Sequence, residues 1–347
     1  MSRRRRILLW VGALGTAAAA IVLGLSIGAV PIAPARAVAH AFDFMPGVPS
    51  ARLTPTEATI IDELRLPRVV LGMVVGSMLA LCGCAYQGVF RNPLADPYLL
   101  GAAAGAGLGA TLAIGWGLGG AVTASAGFFN TVPLFAFVGA LAAVAIAYTL
   151  GASGERGRAP ASLLLAGVAV AAIATAAQTF FQQRYTETIR EVYSWILGRL
   201  STAGWAEVVL VLPYAAVAAI LILVHRRALD VMAVGDDEAS ALGLRVDRTR
   251  LIIVVGASLG TAAAVSVSGL IGFVGIIVPH TIRLFGVSSY RLLLPLSMVM
   301  GGSFLVVADV IARRALSPAE IPLGVVTALA AAPFFLALLW PGRERLT

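Results

Sequence analysis

The sequence contains no lysine, so all 25 of its basic side chains are arginines. A phosphate-binding P-loop requires a lysine, and an enzyme that works through a Schiff base requires one as well. This absence excludes ATP hydrolysis at a standard Walker site and excludes Schiff-base chemistry in this chain.

Charged residues are also scarce, at 12% of the chain, while hydrophobic residues make up 59%. Soluble globular domains carry about 25% charged residues, so this composition indicates a membrane protein. A spanning helix needs about 20 mostly apolar residues, which leaves room for about ten spans in this chain. The net charge of +8 then fits arginines at lipid headgroups and cytoplasmic loops, and we expect no nucleic-acid partner.

Histidine and cysteine are too few and too badly placed for a catalytic or metal centre. The three histidines lie far apart along the chain, which argues against a nucleophile–base pair and so against an intramembrane enzyme. Cys82 and Cys84 are two residues apart, so on a helix they point to different faces. We expect both cysteines to be packing residues and expect no metal site.

The hydrophobic pattern predicts an all-α polytopic membrane protein with about ten transmembrane helices in a single transmembrane domain over residues 1–347. The predicted spans cover residues 7–30, 66–90, 98–118, 128–150, 161–181, 206–224, 251–267, 271–285, 292–311 and 322–340. We divide the chain into 1–65 (first helix and external segment), 66–225 (helices two to six), 226–250 (a cytoplasmic loop) and 251–340 (helices seven to ten).

The distribution of arginine predicts the orientation of the chain. Four arginines, Arg3 to Arg6, precede the first span, and most of the others fall in the same set of alternate loops. Because cytoplasmic loops carry an excess of basic residues, we expect both termini in the cytoplasm. The arginines left in the external segments are more numerous than this rule predicts.

The longest polar interruption, residues 229–250, predicts a short helix between spans six and seven. Asp236 is a suitable N-cap, and Asp237 and Glu238 would complement the helix dipole in the first turn. Gly243 supplies a left-handed end, followed by the apolar Leu244 expected of a Schellman motif. From these residues alone, a docking surface and a solvated loop are both open interpretations.

Three stretches, at residues 64–106, 268–284 and 308–335, carry a family resemblance. They contain, in order, RLPR, Q-x(4)-NPLADP, GF-x-G-x(3)-PH and E-x-P-x-G. The chain thereby resembles, from about residue 64 to residue 340, the permease subunits of type II ABC importers for iron chelates, haem and vitamin B12.

The resemblance implies a cell inner membrane permease that works as a homodimer or with a homologous permease. Its other partners would be two ATPase subunits, which hold the ATP and magnesium, an extracytoplasmic substrate-binding protein and the lipid bilayer. No cofactor is expected in this chain. The loop 226–250 would be the ATPase-coupling segment. Its matching residues are Asp236, Asp237, Glu238, Ala239, Ala241, Leu242 and Gly243.

The resemblance also implies roles for polar residues at the external ends of the helices. Arg65, Arg68 and Arg313 would dock the binding protein, with Arg314 as an alternative register and headgroup binding as the plainer interpretation. The implied pathway residues are Gln178, Gln182, Gln183, Arg184 and Tyr185.

Two polar residues fall inside predicted spans, where polar groups are costly and often functional. His280 belongs to a motif shared by members with different cargoes, which favours a structural role. Asp309 is expected to pair with an arginine that the sequence does not identify.

The expected function is a permease for a ferric siderophore, with cobalamin and haem as alternative cargoes. The rival of a different class is an ion-coupled secondary transporter, which would need intramembrane carboxylates, and only Asp309 is a clear candidate.

Overall fold

The computed structural model describes residues 2–41, 53–117, 131–152, 160–201 and 204–339. In chain order its α-helices are α1 (Arg3–Ser26), α2 (Pro34–Ala41), α3 (Pro55–Thr59), α4 (Leu66–Phe90), α5 (Ala102–Gly115), α6 (Thr131–Ala152), α7 (Pro160–Arg184), α8 (Ile189–Ile196), α9 (Trp205–Val224), α10 (Arg226–Met232), α11 (Asp236–Ala241), α12 (Val246–Ser268), α13 (Val274–Leu284), α14 (Tyr290–Arg314) and α15 (Leu323–Leu339). The all-α class is confirmed.

Within the described residues, seven helices are long and apolar enough to cross a membrane. They are α1, α4 with its N-terminal extension, α6, α7, α9, α12 and α14. The predicted spans three, eight and ten correspond to the shorter apolar helices α5, α13 and α15.

Helices α5 and α13 are shorter than predicted because a loop precedes each of them. Residues 98–101 form turns, and Gly101 takes a left-handed φ of 84° before α5. Residues 271–273 likewise precede α13. The Tyr98 hydroxyl donates to the Ile271 carbonyl (2.9 Å) and accepts from the Ile271 N–H (3.2 Å). The two loops therefore satisfy each other's polar groups, as buried non-helical backbone requires.

Helix α4 begins at Leu66 as predicted, but the chain is already helical before that residue. Helix α3 starts at Pro55 with a capping box between Thr54 and Glu57, and a π-helical turn at Ile60–Arg65 joins it to α4. Proline has no N–H to donate to the carbonyl four residues earlier. The π turn shifts the hydrogen-bond register there, with the Leu66 N–H reaching Ile61, so the helix continues through the proline.

Three further boundaries differ from prediction. Helix α7 extends to Arg184, so Gln182 and Gln183 are helical and do not lie in an external loop. Helix α12 begins at Val246 and places Arg250 in its early turns. The 229–250 segment contains parts of α10 and all of α11, two helices where one was predicted.

Close contacts between glycines hold the central helices together. A Cβ added to Gly76 on α4 would lie 2.3 Å from the carbonyl oxygen of Gly301 on α14. A Cβ on Gly83 would lie 2.4 Å from the carbonyl oxygen of Gly275 at α13. Small residues of this kind let membrane helices approach closely without a hydrophobic driving force. Helix α4 is thus the centre of the packing.

Gly105 and Gly109 on α5 are packing residues of the same kind. Added Cβ atoms there would lie 2.2 Å from the Gly139 carbonyl oxygen and 2.1 Å from that of Phe135, both on α6. Gly101 instead forms the left-handed N-cap of α5. The cysteines Cys82 and Cys84 are fully buried free thiols within the core around α4.

We expect Gly76→Ala to destabilise the protein by about 2 kcal/mol, because the backbones of α4 and α14 must separate to admit the methyl group. Gly15→Ala on α1 is the matched control, since a Cβ there meets nothing within 4 Å. SDS-induced unfolding of the purified chain measures both. Equal unfolding midpoints for the two variants would contradict the close-packing explanation.

Candidate functional sites

The first candidate site is the α10–α11 hairpin, residues 226–241, which we call the coupling hairpin. Leu229 and Met232 on α10 are buried against the rest of the molecule. The Asp230 carboxylate accepts from the Ser289 hydroxyl (2.7 Å) and from the Tyr290 N–H (2.6 Å). These bonds satisfy donors at the start of α14 and fix α10 against it.

The N-terminal cap of α11 differs from the prediction, whereas its C-terminal cap agrees with it. Gly235 is the N-cap, so the predicted capping role of Asp236 is wrong. At the other end Gly243 has a φ of 84°, and its N–H donates to Ser240 (2.9 Å). The Leu244 N–H donates to Ala239 (3.0 Å). This pattern is a Schellman motif and confirms the predicted ending.

The Asp236 carboxylate cannot cap α11 because two arginines hold it. Arg250 of α12 approaches it at 2.7 Å, and Arg91 at the end of α4 approaches it at 3.2 Å. The Arg250 side chain is only 3% exposed. The ion pairs therefore join α11 to both α4 and α12. The sequence did not predict that Arg91 and Arg250 pair with Asp236, although Arg250 follows the buried Val246 and Thr249 on one helical face.

The outward face of the coupling hairpin is partly apolar. Leu242 is 74% exposed and Val234 is 70% exposed, and both stand beside the exposed acids Asp237 and Glu238. Ala239 instead points inward and packs in a small cluster with Met232. Apolar side chains with a charged rim are typical of protein–protein interfaces. Of the predicted coupling residues, Ala239 positions α11, while Ala241, Leu242 and Gly243 are exposed.

The second candidate site is an ion-pair cluster at the opposite end of α4. Asp309 lies between two guanidinium groups: Arg68 Nη2 is 2.8 Å from its Oδ1, and Arg313 Nε is 3.0 Å from its Oδ2. Arg68 also pairs with Glu320 at 2.9 Å. The Asp309 side chain is 4% exposed. The expected pairing of Asp309 with an arginine is confirmed. Its partners are Arg68, the second arginine of RLPR, and Arg313.

The guanidinium of Arg65 is buried among backbone carbonyls at the end of α1. It donates to Leu25 (2.7 Å), to Ser26 (3.1 Å) and to Val30. Arg313 donates to carbonyls of the same region, at 3.3 Å each. A helix C-terminus leaves such carbonyls without internal partners, and a cation there also complements the helix dipole.

Arg65, Arg68 and Arg313 are therefore engaged inside the chain, whereas Arg314 is exposed.

The predicted pathway residues gather at the C-terminal end of α7 but on different faces. Gln178 is half-buried, and its side chain contacts α5 at Gly107. Gln182 is half-buried, while Gln183 and Arg184 are exposed. The Tyr185 ring packs on Gly115 at the end of α5. Gln183 and Arg184 are thus the members of the set that face outward.

His280 packs against an aromatic ring. It lies one residue after Pro279 on α13 and meets Phe334 of α15 edge-on, with ring centroids 5.3 Å apart. Neither ring nitrogen has a hydrogen-bond partner among the described residues. The contact supports the structural interpretation of this histidine.

The Q-x(4)-NPLADP motif proves to be structural. The Gln87 side chain donates to the Gly275 carbonyl (3.0 Å) and accepts from Arg283 (2.5 Å). Asn92 accepts from the Leu94 N–H (2.9 Å) and Asp96 accepts from the Tyr98 N–H (2.8 Å), so both form Asx turns. The motif ties the end of α4 to α13, a role that its residue types alone had not revealed.

Comparisons with known proteins agree with this architecture. Residues 16–341 match the FecCD transport family. The cobalamin import system permease of Halobacterium salinarum is 41% identical over 307 residues, covering 88% of this chain and 79% of the relative. The hemin transport system permease of Yersinia pestis is 37% identical over 294 residues, covering 82% and 84%.

A third relative, the Fe(3+)-citrate import system permease YfmD of Bacillus subtilis, is 36% identical over 288 residues, covering 83% of each chain. Among solved structures, an inward-facing conformation of a transporter assigned to the metal-chelate type of ABC transporters superposes with a TM-score of 0.80 at 27% identity. That match covers 96% of this chain and 98% of the other.

Proposed function

Because this chain belongs to the FecCD transport family and is a permease subunit of an ABC importer, we propose that it forms the membrane pathway for a bulky metal chelate. The observation that carries the proposal is the match over residues 16–341. Relatives of this length carry names for cobalamin, hemin and ferric citrate. These cargoes share one chemistry, a metal ion enclosed in a large organic ligand.

In the proposed topology the chain crosses the cell inner membrane about ten times, with both termini in the cytoplasm. The seven long helices supply most of the crossings, and α5, α13 and α15 supply the short ones. The basic residues support this orientation, because Arg3 to Arg6 on α1 lie at the same end as Arg226 and Arg227 of the coupling hairpin.

The coupling hairpin is the proposed docking surface for a separate ATPase, which binds ATP and magnesium. Its exposed Leu242 and Val234 would meet the partner, with Asp237 and Glu238 at the rim. When α11 moves, the ion pairs of Asp236 with Arg91 and Arg250 would transmit the movement to α4 and α12. No covalent chemistry takes place in this chain, whose helices move as rigid elements.

The external end would receive the substrate-binding protein. We assign the encounter to the face formed around Arg68, where the partly exposed Glu320 and the exposed Arg314 present charge. Arg65 and Arg313 shape this face by holding the end of α1. Rim charges of this kind steer and orient an encounter more than they add affinity.

The pathway would run between two copies of this chain along their shared axis. Helix α7 presents an exposed stripe of small and polar residues that nothing in the described chain covers. The stripe comprises Ala172, Thr175, Ala176, Thr179 and Gln183. Small residues permit close helix approach, which favours a homodimer here. Gln178, Gln182, Arg184 and Tyr185 flank the stripe at one end.

A ferric siderophore is the first candidate cargo. Cobalamin is the second candidate, and it is supported by the 41% identity to the cobalamin permease of Halobacterium salinarum. Haem is a further candidate through the relative of Yersinia pestis.

An ion-coupled transporter would need a titratable carboxylate in the membrane. The only acid among the buried residues that the structure describes is Asp309, which two arginines already neutralise.

The test is uptake into proteoliposomes that contain this chain, its ATPase and its binding protein. Ferric hydroxamate, ferric citrate, hemin and cobalamin are offered in parallel. We expect ATP-dependent uptake of one of these cargoes and none when the ATPase is omitted. Uptake that persists without ATPase or ATP would overturn the importer mechanism in favour of an ion-coupled carrier.

A further inference from the structure

An apolar groove runs along α1 on the side facing α13 and α14. It has a volume of about 390 Å³ and is lined by side chains such as Leu8, Ile277 and Met300. Gly12 also lines it, and a Cβ on that glycine would meet nothing within 4 Å. The groove is therefore an open apolar cleft between α1, α13 and α14, and its lining suits a hydrocarbon chain.

A second, polar pocket adjoins the groove at the end of the molecule that carries the coupling hairpin. This pocket has a volume of about 660 Å³ and is lined by Arg6, Arg226, Arg291, Trp10 and Ser288, among others. On α1, Arg6 lines the pocket and Leu9, one turn later, lines the groove. On α14, Leu292 lines the pocket and Leu296, one turn later, lines the groove.

The pocket carries uncompensated positive charge. Among the described residues, no acidic side chain forms an ion pair with Arg6, Arg226 or Arg291. The Ser289 hydroxyl at its edge donates to Asp230, which also accepts from the backbone of α14. Three arginines from three separate helices thus converge on one cavity with no acidic ion-pair partner in the part of the chain that the structure describes, and an anion is the complementary occupant.

The shape of this site is fixed before any ligand arrives. Arg5 donates to the Phe285 carbonyl (2.8 Å) and so holds the start of α1 against the end of α13. Trp10 packs against the core and forms the border between the polar pocket and the apolar groove. Tryptophan is enriched at this depth of a bilayer because its ring is amphipathic.

From the joined groove and pocket we propose a binding site for an anionic phospholipid of the cytoplasmic leaflet. The phosphate and its headgroup occupy the arginine pocket, and one acyl chain lies in the groove along α1. Basic pockets between transmembrane helices on the cytoplasmic side are suited to such headgroups. The proposal takes from the proposed function only the orientation of the chain, since it involves neither ATPase nor cargo.

The test is native mass spectrometry of the delipidated full-length chain titrated with phosphatidylglycerol or with phosphatidylcholine of the same chain length. We expect the anionic lipid to bind more tightly. The double variant Arg6→Gln/Arg291→Gln should weaken its binding about tenfold or more. The matched control Arg3→Gln/Arg4→Gln removes the same two positive charges from the start of α1, outside the pocket, and should bind as the native chain does.

A second variant tests the groove without changing charge. Gly12→Leu places a side chain where the acyl chain would lie and should weaken phosphatidylglycerol binding about tenfold. Unchanged binding by this variant would overturn the site in favour of diffuse surface attraction, and so would equal binding of both lipids. Glycerophosphoglycerol, which has no acyl chains, should not bind measurably. Binding as tight as that of the lipid would overturn the lipid assignment.

Discussion

Replacing Asp309 by alanine should destabilise the protein by about 3–5 kcal/mol, the usual cost of removing one partner from a buried ion pair. Its carboxylate separates Arg68 from Arg313, and its side chain is 4% exposed. Without the carboxylate, two guanidinium groups face each other in a site with little access to water. Among the described residues, the remaining acid, Glu320, forms an ion pair only with Arg68, so it cannot replace Asp309 beside Arg313.

The measurement is the SDS-induced unfolding midpoint of the purified chain, with monodispersity on size exclusion as a second readout. Glu320→Gln is the matched control. It removes a carboxylate from the same arginine, but its side chain is 39% exposed, so we expect a loss of less than about 1 kcal/mol. Asp309→Asn should fall between the two, because it keeps hydrogen-bond acceptors. If Glu320→Gln lowers the unfolding midpoint as much as Asp309→Ala does, burial does not determine how much each ion pair contributes to stability.

Replacing both Asp237 and Glu238 by arginine should reduce ATP-driven uptake to less than about a tenth of the native rate. A factor of ten corresponds to about 1.4 kcal/mol of binding free energy. Both acids are exposed in the first turn of α11, beside the exposed Leu242. The substitution changes the charge of the proposed ATPase surface by four units, from −2 to +2 at these two positions, and like-charge contacts cost several kcal/mol. It also sets positive charge against the positive end of the helix dipole.

Uptake and co-purification of the ATPase are measured together. The neutral pair Asp237→Asn/Glu238→Gln keeps the side-chain size and should retain most of the uptake. A second variant, Asp236→Ala, should let the ATPase bind but weaken coupling, because it cuts the ion pairs to Arg91 and Arg250. Full uptake by the charge-reversed variant would show that the hairpin is not the docking surface.

Local chemistry made several features of this fold predictable. Gly243 and Leu244 end α11 as their residue types indicate, because a Schellman motif depends on neighbours within one turn. The positions of the long spans follow from apolar length alone. Helix α4 begins at Leu66, as Pro67 favours, but the local rules did not indicate the helical residues before it. A π-helical turn at Ile60–Arg65 shifts the hydrogen-bond register there, so the helix continues through Pro67 although proline has no N–H to donate.

The polar contacts were harder to foresee because they join distant parts of the chain. Arg68 and Asp309 are 241 residues apart, and no spacing rule connects them. Asp236 looked like a helix cap because its N-terminal position suits one, yet Arg91 and Arg250 compete for its carboxylate. A buried arginine is a stronger partner for the carboxylate than an exposed N–H, because the guanidinium carries a full positive charge and the N–H only a partial one.

The complete burial of Cys82 and Cys84 makes site-specific cysteine labelling of this protein straightforward. Both thiols lie within the packed core around α4 and have no measurable surface, so a polar maleimide cannot reach them in the folded chain. The native sequence can therefore serve as the background for a spectroscopic label without first being stripped of cysteine. A single Leu242→Cys change, at a position 74% exposed, would then carry the only reporter and follow α11 through a transport cycle.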